Sequence, residues 1–192
     1  MPTTFELQVR EFAELAKANA ELVVRKVTLD MAVAVIKRSP VGNPELWAEN
    51  AHAAAYNNEV NEENARRRTV PENLTKNGRL KPGAKLNDGM SIKAPDGYTG
   101  GRFRANYFFT LNAPSNESTD QVDPTGAESI GRMTAQIADS AVGYVAYVQN
   151  NLPYAERLEN GWSKKQAPAG MVGVTVAEFQ QFVDKAVAGL KK

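Results

Sequence analysis

Between Phe5 and Pro40 the apolar residues Phe5, Val9, Phe12, Ala16, Ala20, Val23, Val27, Met31 and Val35 recur at intervals of three and four, the spacing of one helix face. Nothing else in the chain constrains its fold as tightly. Glu6, Arg10, Glu14, Lys17, Glu21 and Lys37 fall off the stripe, and Thr3 or Thr4 can cap its start. Pro40 ends it, because proline pushes the preceding Ser39 out of helical angles. A helix of about 35 residues is roughly 50 Å long at 1.5 Å per residue, more than a small domain needs to span itself. It therefore bends, breaks near Thr28 to Asp30, or reaches a neighbouring subunit.

From about Trp47 to Gly97 the character changes. Polar and charged residues dominate, Ala51 to Tyr56 is a short helical candidate, and Pro71, Pro82 and Pro95 punctuate the remainder. Arg66, Arg67, Arg68, Lys76, Arg79, Lys81, Lys85 and Lys93 outnumber Glu62, Glu63, Glu72 and Asp88. The stretch reads as a locally basic arm inserted into a neutral chain, whose formal net charge is +1.

After Gly100-Gly101, the run from Arg102 to Leu111 mixes alternation with aromatics and predicts a strand with one buried face. A helix is expected from Pro124 or Thr125 through Ile137, a second strand over Val142 to Gln149, and a short helix from Pro153 ending at Gly161. Pro168 to Val174 can extend, and Val176, Phe179, Phe182, Val183, Ala186 and Leu190 mark a C-terminal amphipathic helix. The fold class is α+β: a long N-terminal helix on a small, mainly antiparallel sheet, with short helices and a C-terminal helix. The 192 residues suit a single domain, with the basic arm inserted at about 47–97.

The chemistry of enzymes is hard to find. His52, the single histidine, lies among alanines with no metal-ligand partner at a useful spacing. No Gly-x-Ser-x-Gly elbow is present, and the glycines at Gly97 to Gly101 lack the Gly-Lys-Ser/Thr ending of a phosphate loop. Glu156 and Glu159 can share one face of the short helix, where solvation or an intersubunit ion pair explains them better than a nuclease-like carboxylate pair. Cysteine is absent, which suits assembly in a reducing cytosol. The first residues lack the basic and apolar regions of a signal peptide, and no apolar run reaches the ~20 residues of a membrane span.

Arg66, Arg67, Arg68, Arg79 and Lys81 are candidates for gripping phosphate or an acidic neighbour. The stretch holding Glu117, Asp120, Asp123, Glu128 and Asp139 is acidic, so complementary regions of identical copies can meet. Trp47, Tyr107, Phe108, Tyr144, Tyr147 and Tyr154 are expected in the core. Trp162, beside Gly161 and Ser163-Lys164-Lys165, is the candidate exposed anchor.

Two stretches carry a family resemblance. Arg38-Ser39-Pro40-Val41-Gly42, followed by Tyr98-Thr99-Gly100-Gly101-Arg102-Phe103-Arg104-Ala105-Asn106, resembles the Ser/Thr-Pro-Val, Thr-Gly, Arg-x-Asn/Ser order of tail-completion or neck proteins of tailed bacteriophages. Pro153-Tyr154-Ala155-Glu156-Arg157-Leu158-Glu159-Asn160-Gly161 is similar to that family's Pro-Tyr-Ala-x-x-x-Glu-x-Gly element, followed by Gln166 to Met171 and a final helix. The chain departs from the pattern by placing the basic arm between Pro-Val and Thr-Gly.

The resemblance implies a virion structural protein with no catalysis and no cofactor, made in the host bacterial cytoplasm and built into the neck. It implies a ring of copies, commonly six, between head-side connector or adaptor proteins and the tail-terminator or tail-tube proteins. Packaged DNA in the channel is a further possible contact of the arm, and no membrane partner is implied. Two alternatives stay open: a tail-terminator or head-side stopper subunit of the same joint, and a nonspecific DNA-binding protein acting through the arm.

Overall fold

The computed structural model describes residues 4–139 and 143–190. Its elements are α1 (Thr4–Arg38), α2 (Ala51–Arg68), α3 (Arg102–Ala105), β1 (Tyr107–Leu111), α4 (Ala127–Ala138), β2 (Ala146–Asn150), α5 (Ala155–Glu159), α6 (Val172–Ala177) and α7 (Phe179–Ala188). The fold is α+β. The chain divides into two compact units: Met1–Val41 with Thr99–Lys192, and Gly42–Tyr98.

In the first unit α1 runs 35 residues without a break at Thr28 to Asp30. Alanines at 13, 16, 18 and 20 favour the helix where it has little to pack on, and alternating charges support it. Arg25 meets Glu21 at 3.9 Å, and Lys26 pairs with Asp30 one turn on. The C-terminal part of α1 packs against α4, α6 and α7, and Ala32, Val35 and Ile36 enter a core with Phe103, Tyr107, Phe109, Met133, Ile137, Leu152 and Met171.

Strands β1 and β2 pair antiparallel, from Tyr107 opposite Asn150 to Leu111 opposite Ala146. Tyr107 and Phe109 are buried while Phe108 and Thr110 are not, the alternation expected of a strand with one core face. Asn112, at φ 65°, ends β1.

Three expectations for this unit need correction. The strand expected from Arg102 begins only at Tyr107, because Gly101, at φ 112°, turns the chain into the single helical turn of α3. A side chain at Gly101 would put its Cβ 2.4 Å from the Pro124 nitrogen. The second strand begins at Ala146: Val142 lies outside the described residues, and Gly143 to Val145 have no strand opposite them once β1 has ended at Asn112. Pro168 to Val174 does not simply extend, since Gly170, at φ 76°, turns the chain and α6 starts at Val172.

In the second unit the short helical candidate at Ala51 to Tyr56 is an 18-residue helix. Its apolar content is too low to signal a helix, and its support is polar. Asn50, Asn57 and Asn64, seven residues apart and hence on one face, each bond a single residue of the segment 86–93 twice over. Asn64 takes the N–H of Leu86 at 2.9 Å and donates to its carbonyl at 3.0 Å. Asn57 does the same to Met90 at 2.6 and 2.8 Å, and Asn50 to Lys93 at 2.9 and 2.7 Å. The segment is thus held along α2 as a strand is held by its neighbour, with side-chain amides in place of a backbone. Trp47 and Tyr98 meet edge to face, 5.1 Å between ring centres, near the two ends of the unit.

Candidate assembly surface

Apart from Gly42 and Tyr98, the residues that carried the family resemblance lie in the first unit, and several of them converge on the joints between its elements. Ser39 Oγ donates to the Val35 carbonyl at 2.8 Å and shares a 2.9 Å hydrogen bond with the Tyr107 hydroxyl. Burial of Tyr107 pushes its phenol up to about 12, even though the Ser39 contact acts in the opposite direction. The Arg104 guanidinium donates to the carbonyls of Ser39, Lys37 and Pro124 at 2.9, 3.1 and 2.7 Å. It thereby places a cation on the orphan carbonyls at the end of α1. Asn106, fully buried, donates to the Arg102 and Thr119 carbonyls and accepts from the Thr119 N–H.

Glu159 closes the other end. Its carboxylate accepts the N–H groups of Met171, Val172 and Gly173 at 2.9, 2.9 and 2.8 Å, satisfying the first turn of α6 from twelve or more residues away. Burial alone raises the Glu159 carboxyl, but the three backbone donors outweigh it and hold the group below the ordinary carboxylate range. Gly161 and Gly170 make the closure possible, since added Cβ atoms would stand 2.4 Å from the Pro168 carbonyl oxygen and 2.3 Å from the Glu159 backbone carbonyl oxygen. Glu159 therefore has an internal task, while Glu156 on the same short helix is exposed.

Trp162 is 67% exposed, with the Arg157 guanidinium 3.7 Å above its ring. Of the aromatics expected in the core, Tyr107 is buried, Trp47, Phe108 and Tyr147 are half-buried, and Tyr144 and Tyr154 are exposed. Burial of these last two is a correction: β2, which follows Tyr144, buries neither face, and Tyr154 leans on Phe103 from the surface.

The basic residues belong to the second unit. Arg66 and Arg67 both bond Glu63, at 2.9 and 3.0 Å, and these bonds hold its carboxyl below the usual range. Arg67 also donates to the Ala84 carbonyl, and the Lys81 ammonium to that of Glu72. Arg68 at the helix end and Arg79 at the Leu74–Leu80 hairpin are exposed. His52 is exposed as well. Among the described residues no group of three or more His, Asp or Glu could hold a metal, and no helix is long and apolar enough to cross a membrane.

The largest feature of the surface was only partly legible in the sequence. The N-terminal half of α1 stands clear of the core, with Phe5 and Phe12 each 73% exposed and Leu15 and Leu22 61% and 56% exposed. By the 100° step of a helix, Phe5, Val9, Phe12, Leu15, Ala16, Ala20, Leu22 and Val23 spread over an arc of about 160°. Glu6, Arg10, Glu14, Lys17 and Glu21 occupy about 80° opposite. The Leu15–Leu22–Leu29 spacing, off the stripe that first suggests the helix, is the signal for the extra width.

An apolar groove of about 440 Å³ opens in the same unit between α1, β2 and α6, walled by Met31, Val35, Val148, Val172 and Val176. Comparison with family models, with curated proteins and with solved structures finds no match.

Proposed function

We propose that this chain is a structural subunit of a tailed-phage particle that assembles with copies of itself at the neck and completes the tail. The observation that carries the reading is the projecting half of α1. Five apolar side chains on one face of the helix, Phe5, Val9, Phe12, Leu15 and Leu22, are left exposed. Contiguous apolar surface beyond a few hundred Å² marks an interaction site on a soluble protein.

The family pattern adds support through the roles of its residues. Ser39, Arg104, Asn106, Glu159 and Gly161 bond or close-pack to other parts of their own unit, the use expected of a scaffold signature. The DNA-binding alternative draws less support, because Glu63 engages Arg66 and Arg67 and leaves fewer of the arm's cations for phosphate.

Interrupting the gene in the encoding phage tests the proposal. Filled heads and tails that accumulate unjoined, seen by electron microscopy, are the expected result. Intact, infectious particles lacking the chain would overturn it.

A further inference from the structure

We infer that the projecting half of α1 docks into the apolar groove of a second copy of this chain, so that each copy donates one ridge and receives another. The inference rests on the self-assembly reading above and supplies its two surfaces.

The ridge has the size such a contact needs. From their exposures, Phe5, Val9, Phe12, Leu15 and Leu22 on this arc present on the order of 500 Å² of apolar surface. A standard interface buries ~800 Å² per partner, a little over half of it apolar. The groove has largely matching chemistry: Val148, Val172 and Val176 are exposed on its walls, and of the two carboxylates that line it Glu159 is satisfied by three backbone donors while Glu156 is exposed.

Charge narrows the occupant. On the polar face of α1 the signs alternate from Glu6 to Arg10, Glu14, Lys17 and Glu21. An amphipathic helix that lies on an anionic bilayer carries a basic polar face instead. Nucleic acid likewise requires an excess of cations. The fitting partner is a mainly apolar groove on a protein.

Geometry then excludes the chain's own groove. Thr28, Met31 and Val35 of α1 form one groove wall, and the ridge lies on the same unbroken helix. From Phe12 to Met31 is roughly 28 Å along a rigid rod, so a ridge cannot fold back into the groove beside it. A ridge entering a neighbour's groove, with that neighbour's ridge going to a third copy, is a heterologous contact, which propagates from copy to copy and closes into a ring when the rotation allows.

The test uses the purified full chain and native mass spectrometry at rising concentration. The ridge variant carries Phe5→Glu and Phe12→Glu, and the groove variant carries Val176→Glu. Circular dichroism checks that each is folded, and Val148→Glu replaces the groove variant if Val176→Glu loses helix. Wild type is expected to form species larger than a dimer, and each variant alone to be monomeric, its association weakened at least 100-fold. An equimolar mixture of the two is expected to stop at dimers, because one intact ridge and one intact groove remain per pair. Folded groove variants assembling as wild type does, or a mixture without dimers, would overturn the inference and leave self-assembly standing. A wild-type chain that stays monomeric at every concentration would overturn both.

Discussion

Replacing Asn64 with alanine is expected to release one end of the segment 86–93 while leaving α2 a helix. Asn64 is 7% exposed and supplies both partners of the Leu86 backbone. Alanine leaves a part-buried N–H and C=O without those partners, a loss of about 2 kcal/mol. Asn50, still more deeply buried, carries a similar cost at Lys93. Asn57 differs: it is half-exposed, water can replace its amide at Met90, and its removal is expected to cost only about 0.5–1 kcal/mol. Alanine is itself a better helix former than asparagine, which trims the cost at positions 57 and 64 by a few tenths.

Hydrogen exchange read by mass spectrometry gives the assay, because local opening of the segment precedes global unfolding. At about 1.4 kcal/mol per tenfold, Asn64→Ala should speed exchange at the Leu86 amide about 30-fold. Asn64→Asp should fall between wild type and alanine, since a carboxylate still accepts the Leu86 N–H but repels its carbonyl. Unchanged exchange in Asn64→Ala, or an equal effect at all three positions, would refute the view that burial sets the value of each rung.

The glycines offer a contrast. Gly101→Ala should cost about 3 kcal/mol, the strain of positive φ joined by collision with the Pro124 backbone, whereas Gly78→Ala, with open space around it, should cost about 1 kcal/mol; thermal unfolding separates them. Glu159 has a lowered native value, so its contribution is present above the ordinary range near 4.5 and is lost as pH falls through the native value. Acid unfolding of Glu159→Gln should therefore be less steep than that of wild type. Tyr107 should resist ionisation to about pH 12 in an ultraviolet titration, and stability should fall as pH rises from 10 toward 12, a slope that Tyr107→Phe removes.

The long helix was legible because its stripe has one spacing throughout, and for that reason the stripe could not say which half is buried. Val27 and Phe5 hold equivalent places on it, yet one lies in the domain and the other projects. Helix α2 was mostly hidden: asparagine reads as a loop former, and only the segment 86–93 turns Asn50, Asn57 and Asn64 into supports. Arg102 to Ala105 alternates like a strand, but the close approach of Gly101 to Asp123 and Pro124 bends it into a turn of helix. Glu156 and Glu159 looked alike in the sequence. The donors that separate them stand at Met171, Val172 and Gly173, beyond the reach of any local pattern. In the basic cluster, composition showed the cations but not that Arg66 and Arg67 converge on Glu63.

A cryo-electron microscopy map of the neck of the intact particle tests the proposed role most directly. The expected result is this chain traced as a symmetric ring between the head connector and the tail tube, with each α1 ridge against the next copy. Particles that infect normally but contain no density for the chain would contradict it.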